Sequence, residues 1–379
     1  MEVCKYKNKC GGCNLQGTDY EKQLEIKQKK VEELLGGFAK VEKIKGMDDP
    51  YHYRNKVQAA FGFVKGKGIV SGVYESRSHR IVDIETCQIE DEISRIIIRD
   101  IHNLLPSFKI RPYNEDSGRG LLRHVLVRRG FKTGEVMVVL VISSPVFPSK
   151  NNFVKALRKL HPEITTVVMN VNTRSDSMVL GERNITVYGG GFITDELCGK
   201  KFIISPNSFY QVNSIQTEKL YGTAIEYAGL SGSEVIIDAY SGIGTIGIVA
   251  SDYCKNVISV ELNPSAVSDA KKNASKNKVS NISFYKADAG EFMVRLAEEK
   301  KHIDTVFMDP PRAGSDKAFM SSVIKLAPDR VVYISCNPVT LKDNLKYFTS
   351  KGYEVDRIQP VDMFPFSEHI ECVVSLTRQ

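Results

Sequence analysis

A cysteine and a glutamate stand in short motifs whose residue types could support covalent chemistry. Three segments attract attention, and they are Asp309-Pro-Pro-Arg312, Ser335-Cys-Asn-Pro338 and His369-Ile-Glu371. A thiolate can attack an electrophilic carbon, and a nearby carboxylate can remove a proton. Because a buried cysteine is more often structural than reactive, the chemistry inferred for Cys336 depends on its neighbours.

An earlier glycine-rich segment has the features of a nucleoside-binding loop. Asp238-Ala-Tyr-Ser-Gly-Ile-Gly-Thr245 ends a predicted strand and opens a predicted helix, and its glycines let a ligand approach the backbone. It matches neither the dinucleotide nor the Walker pattern, which disfavours a pyrophosphate. Glu261 ends the next strand, where it can accept hydrogen bonds from ribose hydroxyls, and Asp288 ends the third. The combination fits S-adenosylmethionine; strand-end capping is the alternative role of Asp238 and Glu261.

The other two strand-end segments point to methylation at carbon. An Asp-Pro-Pro turn followed by an aromatic residue is typical of amino-group methylation, but here Arg312 takes the aromatic position. Carbon 5 of a pyrimidine is too weak a nucleophile to attack a sulfonium methyl group directly, so it needs covalent help. Cys336 would add to carbon 6, and a base would later remove the carbon-5 proton. Glu371 is the predicted base, and His369, on the same face of the predicted strand, is the second candidate.

Five segments together resemble the motif series of the RNA uracil-5 methyltransferases. They match the family in order and spacing over about 170 residues, and they are Phe209-Tyr-Gln-Val-Asn213, Asp238–Thr245, Asp309–Arg312, Ser335–Pro338 and His369–Glu371. The resemblance implies an S-adenosylmethionine-dependent enzyme with Cys336 as nucleophile and Glu371 as base. It also implies that five residues contact the methyl donor, namely Gln211, Tyr240, Glu261, Asp288 and Asp309. Thr245 stands where family members often have asparagine, and it is not assigned.

Four of the eight cysteines form a candidate metal site, and they are Cys4, Cys10, Cys13 and Cys87. A cytosolic setting disfavours disulfides, so metal binding or catalysis is the better interpretation. The spacing alone fits zinc and an iron–sulfur cluster equally well, because four thiolates suit both. The resemblance favours a [4Fe-4S] cluster, which the ribosomal-RNA members of the family hold on four such cysteines. Because no step of the chemistry moves electrons, its expected role is to tie down residues 1–18 and shape an RNA-contacting face.

The cysteines, the charge and the family resemblance together imply an iron–sulfur and RNA-binding region over residues 1–200. Within it we expect a cluster arm over 1–18 and a helix in 19–49 that packs on the catalytic domain. Residues 50–200 contain short runs rich in valine and isoleucine, which predict a strand-rich α+β domain. One helix, near 153–160, is expected to interrupt these strands.

Residues 201–379 are predicted to form the catalytic domain. Strands and helices alternate strictly there, which predicts an α/β fold with a doubly wound parallel sheet. The family resemblance implies that this sheet belongs to a Rossmann-like methyltransferase domain of class I. Two further strands, over 353–360 and 370–377, follow with a short loop between them. They predict a terminal antiparallel pair.

The charge distribution favours RNA as the partner. Lys and Arg number 52 against 45 Asp and Glu, and residues 1–200 hold the whole excess, with 32 basic and 24 acidic side chains. The block 101–150 alone has 8 basic and 3 acidic residues. This block is either a phosphate-tracking surface or a solvated strand face.

The sequence also bears on location and partners. No apolar run reaches the roughly 18 residues of a membrane span, and the first residues contain no signal-peptide core. We therefore expect a cytoplasmic protein without a membrane partner, and no obligate protein partner is predicted. Many members of the family begin with a small β-barrel that binds RNA, whereas here the cysteine motif begins at residue 4.

The predicted function is transfer of a methyl group from S-adenosylmethionine to carbon 5 of a uridine in 23S ribosomal RNA. The same reaction on transfer RNA is the alternative, because some transfer-RNA members also carry the cluster cysteines. An inactive iron–sulfur RNA-binding or chaperone module is a third hypothesis, which predicts loss of Cys336 or Glu371; both are present. Radical use of S-adenosylmethionine would need a C-x3-C-x2-C run, which the sequence lacks.

Overall fold

The computed structural model describes residues 3–75 and 78–379, which divide into two compact units. The first unit comprises the described residues up to Gly17, those of Pro50–Glu196, and Ile203–Asn207. The second unit comprises Thr18–Asp49, Leu197–Phe202 and Ser208–Gln379.

The helices and strands are numbered in chain order. The elements up to residue 204 are α1 (Lys7–Cys10), α2 (Tyr20–Leu35), β1 (Lys56–Val64), β2 (Gly68–Tyr74), β3 (Ile81–Asp83), α3 (Glu92–Leu104), β4 (Leu122–Arg129), β5 (Val136–Ile142), α4 (Lys150–Leu160), β6 (Ile164–Val171), β7 (Arg183–Tyr188), β8 (Ile193–Leu197) and β9 (Lys200–Ile204). The remaining elements are α5 (Ser214–Ala228), β10 (Val235–Ala239), α6 (Thr245–Ala250), β11 (Asn256–Glu261), α7 (Pro264–Lys276), β12 (Ile282–Lys286), α8 (Ala289–Glu298), β13 (Thr305–Met308), α9 (Lys317–Leu326), β14 (Arg330–Ser335), α10 (Pro338–Thr349), β15 (Tyr353–Val361) and β16 (Glu371–Arg378).

The first unit is built on a seven-stranded sheet in the order β3-β2-β1-β4-β5-β6-β7. Neighbouring strands are antiparallel except β5 and β6, which are parallel and joined through α4. Apolar residues of α3 and α4 pack with the strands in one buried core. The unit is therefore the strand-rich α+β type expected for this region.

The prediction that a single helix interrupts the strands of residues 50–200 was wrong, because α3 is a second helix in addition to α4. The run Ile96-Ile97-Ile98 is typical of a strand, yet Ile97, Ile98 and Ile101 are buried at helical spacing. The start signal is Asp91, whose carboxylate accepts a hydrogen bond from the Ser94 backbone N–H at 2.8 Å. A helix cap of this kind outweighs the strand preference of three isoleucines.

The second unit contains a seven-stranded sheet in the order β12-β11-β10-β13-β14-β16-β15. The first five of these strands are parallel, and helices connect them along the chain. The last two, β16 and β15, form the predicted antiparallel pair. The strand order reverses at β10, so a ligand crevice is expected at the carboxyl ends of β10 and its neighbours.

A buried ion pair joins α2 to the segment before β16. The Lys27 ammonium lies 2.6 Å from a carboxylate oxygen of Asp362, and the two side chains are 1% and 0% exposed. Lys27 also donates to the Phe364 carbonyl, and the Tyr20 hydroxyl donates to the second Asp362 oxygen at 2.9 Å. Burial lowers the pKa of Lys27. The pair therefore anchors α2 within the second unit.

Removing this ammonium should destabilise the protein strongly. We expect Lys27→Ala to lower the free energy of unfolding by about 3–5 kcal/mol, because Asp362 would remain buried without its charged partner. Thermal and denaturant unfolding measure the loss. The matched control is Lys29→Ala on the same helix, where the side chain is 77% exposed, and its effect should stay within about 0.5 kcal/mol. Equal losses in the two variants would contradict the anchoring role.

No helix within the described residues is long and apolar enough to span a membrane.

Candidate active site

One edge of the second unit's sheet gathers the predicted catalytic side chains. β13 ends at Met308 and β14 at Ser335, so Asp309 and Cys336 directly follow neighbouring strands. β16 runs antiparallel to β14, and its first residue, Glu371, therefore lies at the same edge. Residues separated by up to 62 positions in the sequence thus meet at the ends of three strands.

The ladder between β14 and β16 places Cys336 opposite Glu371. Ser335 pairs with Cys372, and the next step along two antiparallel strands joins Cys336 and Glu371. Cys336 is partly exposed, whereas Glu371 is only 4% exposed. Burial, followed by the charges of Glu371 and Asp309, raises the pKa of Cys336 to about 11. Burial, followed by the charge of Asp309, raises the pKa of Glu371 to about 8.

Asn337 connects the turns that follow β13 and β14. Its side-chain oxygen accepts a hydrogen bond from the Val339 N–H at 3.1 Å, which caps α10, and its Nδ2 donates to the Arg312 carbonyl at 3.2 Å. The exposed Arg312 guanidinium acts against burial, since it lowers the pKa of both Cys336 and Glu371. Sequence reasoning gave Asn337 no role, although Asn before Pro at a helix start is a capping signal.

The segment before Glu371 is hydrogen-bonded by a side chain of α2 and by the residue that caps α5. Gln23 accepts a hydrogen bond from the Phe366 N–H at 2.8 Å, and Asn213 donates to the Met363 carbonyl at 3.0 Å. Phe366 is buried and has a φ of 67°. A bulky residue keeps this left-handed conformation only where its surroundings enforce it. The position of Glu371 is therefore fixed by packing on both sides.

His369 does not join this constellation. It lies before β16 begins, it is exposed, and its ring packs edge-on against Phe364 with centroids 6.2 Å apart. Among the described residues, the charges that shift the pKa of Glu371 belong to Asp309 and Arg312. The prediction that His369 shares a strand face with Glu371 fails because His369 lies outside β16.

The glycine loop after β10 holds Glu261 through its backbone. The Gly242 N–H donates to one oxygen of Glu261 at 2.9 Å, and the Asn263 N–H donates to the other at 2.7 Å. Gly242 has a φ of +55°, which favours glycine, and a Cβ atom there would meet nothing within 4 Å. The outer side of the loop is thus open beside a fixed carboxylate.

Unsatisfied polar atoms lie along the same edge. In the described chain, Oδ1 of Asp238 and the hydroxyls of Ser241 and Ser315 are buried without a hydrogen-bond partner. The other oxygen of Asp238 accepts from the Gly247 N–H at 2.9 Å, which is the strand-end capping role. Burial raises the pKa of Asp238 to about 7. Buried polar atoms are normally paired, so these three are suited to a polar ligand.

The remaining predicted cofactor contacts lie on the second unit's loops. Tyr240 follows β10 with a φ of 62°, and its ring packs on Phe319 with centroids 4.9 Å apart. Asp288 is exposed and caps α8, where it accepts from the Glu291 N–H at 3.0 Å. Gln211 is partly buried and precedes α5. Leu262, which the sequence reasoning left out, is 66% exposed beside Glu261 and offers an apolar surface to an adenine ring.

The four amino-terminal cysteines line one cavity of the first unit. The cavity has a volume of about 140 Å³, and Cys4, Cys10, Cys13 and Cys87 all contribute to its wall. Burial raises the pKa of Cys13 to about 11 and of Cys87 to about 12. Within the described chain, three or more metal-ligating atoms lie within 4.8 Å of one another only at His302, Asp304 and Asp329. The cysteine sulfurs are therefore more widely spread than the roughly 3.8 Å separations around one tetrahedral zinc ion.

The arm that carries three of these cysteines is attached to the segment around Cys87. Gln16 donates to the Gln88 side chain at 2.9 Å, and the Lys5 ammonium lies 2.9 Å from Glu85. The Tyr6 hydroxyl accepts from the Glu85 N–H at 3.0 Å. These contacts hold the arm beside the fourth cysteine.

In the block 101–150, the central basic residues form neither a phosphate-tracking surface nor a solvated strand face. Arg123, His124 and Arg128 are buried in β4, with exposures of 4–7%. Arg123 is paired with Glu115 at 2.8 Å, and Arg129 with Asp91 at 2.8 Å. A basic residue on a strand that is buried on both faces forms ion pairs and hydrogen bonds inside the protein. Counting charges in the sequence does not reveal this.

Glu371 should make the stability of the protein dependent on pH. Its pKa in the folded state, about 8, lies above the ordinary value near 4, so protonation of Glu371 stabilises the folded state. This contribution to stability is complete below pH 4 and is lost as the pH rises through 8. We expect Glu371→Gln to match the unchanged protein near pH 4–5 and to exceed its stability at pH 9 by about 5 kcal/mol. Thermal unfolding over this range measures the difference. The exposed Asp343→Asn substitution should show no such divergence, and a parallel pair of curves for Glu371→Gln would contradict the burial effect.

Comparisons with known proteins agree with this architecture. A family model described as tRNA (uracil-5-)-methyltransferase matches residues 19–379. Uncharacterized RNA methyltransferases of Halalkalibacterium halodurans and Caldanaerobacter subterraneus are each 42% identical, over 98% and 99% of this chain and 82% and 84% of theirs. The crystal structure of Pyrococcus abyssi tRNA (uracil-54, C5)-methyltransferase in complex with S-adenosyl-L-homocysteine superposes with a TM-score of 0.81. It is 31% identical, over 97% of this chain and 86% of that one.

The sheet order and the strand-end site define a Rossmann-like class I methyltransferase with an additional strand-rich unit, as predicted. The chain belongs to the tRNA (uracil-5-)-methyltransferase family. The predicted enzyme class, an S-adenosylmethionine-dependent RNA (uracil-C5)-methyltransferase, is thereby confirmed.

Proposed function

We propose that this enzyme methylates carbon 5 of a uridine in 23S ribosomal RNA through a covalent adduct with Cys336. The observation that carries the proposal is the ladder register that sets Cys336 opposite the buried Glu371. A nucleophile and a base on opposite strands can reach the two adjacent carbons of one pyrimidine ring. The presence of both residues also argues against an inactive RNA-binding module.

S-adenosylmethionine supplies the methyl group when it is bound. Glu261 would accept hydrogen bonds from the ribose hydroxyls, since both its oxygens are fixed by backbone N–H groups. Four further residues would complete the contacts, and they are Gln211, Tyr240, Asp288 and Asp309. The unpartnered buried atoms of Asp238 and Ser241 in the described chain fit the same ligand, and the Pyrococcus abyssi relative binds its demethylated product.

Cys336 would form a bond to carbon 6 of the uracil and so make carbon 5 nucleophilic. The thiol of Cys336, which is partly exposed, first loses its proton to water, and Arg312 assists by opposing the effect of burial on the pKa of Cys336. After carbon 5 is methylated, Glu371 would take the carbon-5 proton. The electrons of that C–H bond then restore the C5–C6 double bond, and the bond between carbon 6 and sulfur breaks. A base with a pKa raised to about 8 is well matched to this proton transfer near neutral pH.

Cys4, Cys10, Cys13 and Cys87 would hold a [4Fe-4S] cluster. Support comes from their shared cavity, whose wall all four cysteines help to form. The cluster would tie the arm 1–18 to the first unit and shape its RNA-contacting face, in addition to the contacts of Gln16 and Lys5.

Iron and sulfide analysis of protein purified without oxygen tests this assignment. Four iron atoms and four sulfide ions per chain are expected, with loss of both in Cys13→Ser and Cys87→Ser. Cys254→Ser is the matched control, because Cys254 is a buried cysteine of the second unit. Stoichiometric zinc in place of iron would overturn the assignment.

We further propose that residues 1–200 supply the grip on RNA and residues 201–379 the chemistry, in the cytoplasm, where this RNA is found. An extruded uridine costs a few kcal/mol of stacking, which contacts with the first region would offset. Transfer RNA is the second candidate substrate, because the Pyrococcus abyssi relative is a tRNA enzyme.

Methyl transfer from labelled S-adenosylmethionine decides between the two RNAs. Unmodified 23S ribosomal RNA and unmodified transfer RNA would be offered separately, and the nucleosides analysed by mass spectrometry. Label in 5-methyluridine from ribosomal RNA alone is expected. Label from transfer RNA alone would keep the chemistry and overturn the substrate, and no 5-methyluridine from either RNA would overturn the function.

A further inference from the structure

A cavity of about 410 Å³ opens in the first unit, and all its lining residues belong to that unit. Its wall is formed by β1, β2 and β4 and by the loops before β4 and before β7. The volume is in the range of small-molecule sites. Cys336 and Glu371 belong to the second unit, and neither of them lines this cavity.

Rings dominate one part of the wall. Tyr74 and His124 meet edge to face with centroids 6.1 Å apart, and Tyr113 carries the Arg123 guanidinium 4.8 Å from its ring centroid. His124 is 7% exposed, and among the described residues its Nδ1 atom is buried without a hydrogen-bond partner. Burial lowers the pKa of His124 to about 4, so the imidazole is neutral. The wall thus presents aromatic faces, and the His124 ring that forms part of it has one buried, unpaired nitrogen.

The charges in the wall are already paired. Arg123 donates to both oxygens of Glu115 and to the Asn172 carbonyl at 3.0 Å, and Asp176 pairs with Arg174. In the described part of the lining, no cation is left over for a phosphate. A neutral planar ligand with its own donors and acceptors fits better than an anion.

The rim of the cavity is preorganised. Asn172 donates from its side chain to the carbonyls of Met178 and Val179 at 2.7 and 2.8 Å, and its oxygen accepts from the Arg174 N–H at 3.0 Å. These bonds involve the backbone of the loop before β7, so its exposed side chains are free to contact a ligand. Met178, which is 59% exposed, is one of them.

We propose that this cavity binds a second, unmethylated nucleobase of the RNA substrate, turned out of its stack and held against Tyr74 and His124. The inference rests on the proposed function only in naming RNA as the source of the base. A base held here would add to substrate selection, because an enzyme that must seat two bases at once rejects RNAs that present only one.

A tryptophan reporter tests the proposal on the full chain. The sequence contains no tryptophan, so Met178→Trp places the only indole at the cavity rim, where a bound base would quench its emission. The probes are the four ribonucleotide homopentamers and a pentamer of equal charge without bases. At least one homopentamer should quench, and the abasic pentamer should not. Equal quenching by the abasic pentamer would identify a phosphate site instead, and no quenching by any pentamer would also overturn the proposal.

Variants in the reporter background locate the base. His124→Phe keeps a ring but removes the unpaired nitrogen, and it should weaken pentamer binding about tenfold. The control is Thr173→Ala, an exposed position of the same loop outside the lining. Equal effects of the two variants would place the base elsewhere and overturn the proposal. Circular dichroism confirms folding, and because no methyl donor is present, the result is independent of the methylation assay.

Discussion

Replacing Cys336 with alanine should reduce formation of 5-methyluridine by about 10⁴-fold or more while leaving affinity for S-adenosylmethionine within about twofold. The loss is large because carbon 5 of an uncharged uracil cannot attack a sulfonium methyl group without addition at carbon 6. Cofactor affinity should survive because the proposed ribose contact, Glu261, ends a different strand, β11, and is held by backbone hydrogen bonds. Single-turnover methylation and calorimetric titration with S-adenosylmethionine measure the two quantities.

Two controls make this result specific to the thiol. Cys254→Ala removes a buried cysteine that is remote in sequence from Cys336, and it should retain methylation. Cys336→Ser keeps the size of the side chain but offers a hydroxyl with a far higher pKa, and it should be nearly as inactive as alanine. Turnover above one hundredth of normal in Cys336→Ala would eliminate the covalent mechanism. Parallel loss of cofactor affinity would instead make Cys336 a structural residue.

The second unit could be predicted from the sequence because its signals are local. Strict alternation of strands and helices predicted a doubly wound sheet, and β10 to β14 of the structure are parallel strands connected by helices. The terminal pair was equally visible as two apolar runs. Since the carboxyl ends of parallel strands share one edge, the meeting of Asp309 and Cys336 followed from the pattern alone.

The position of Glu371 depended on a feature that no local pattern contains. Its approach to Cys336 requires β16 to insert between β14 and β15, in the register that pairs Ser335 with Cys372. That strand order and register depend on which faces of the strands are buried, and they join residues that are far apart in the sequence. The motif resemblance pointed to Glu371 as the base, and the pairing of β14 with β16 gives a physical reason for its position beside Cys336.

The first unit was harder to predict for the opposite reason, since its polar residues are used internally. The positive charges counted in the block 101–150 include Arg123, which is buried and bonded to Glu115. Charge counts assume exposure, and that assumption fails in a sheet covered on both faces. The same burial leaves His124 with an unpaired nitrogen within the described chain, a feature visible only in three dimensions.

Replacing Glu371 with glutamine should trap the enzyme on its RNA. The nucleophile remains, so Cys336 can still add to carbon 6 and carbon 5 can still be methylated. Without a carboxylate to take the carbon-5 proton, the bond between sulfur and carbon 6 cannot break at its normal rate. We expect release of product to fall by about 10²–10⁴-fold and a covalent protein–RNA adduct that persists under denaturing conditions.

The adduct experiment separates the base from its neighbours. On a denaturing gel, labelled RNA should migrate together with the Glu371→Gln protein. It should migrate as free RNA with the Cys336→Ala/Glu371→Gln double variant, because the covalent bond to carbon 6 requires the thiol. Glu368→Gln, at an exposed position three residues earlier, should turn over normally.

His369→Ala should also stay active, since His369 is exposed and lies outside β16. An adduct in His369→Ala but not in Glu371→Gln would transfer the role of base to the histidine. The burial of Glu371 argues for the first outcome, because a carboxyl with a raised pKa can hold the abstracted proton until the product has left.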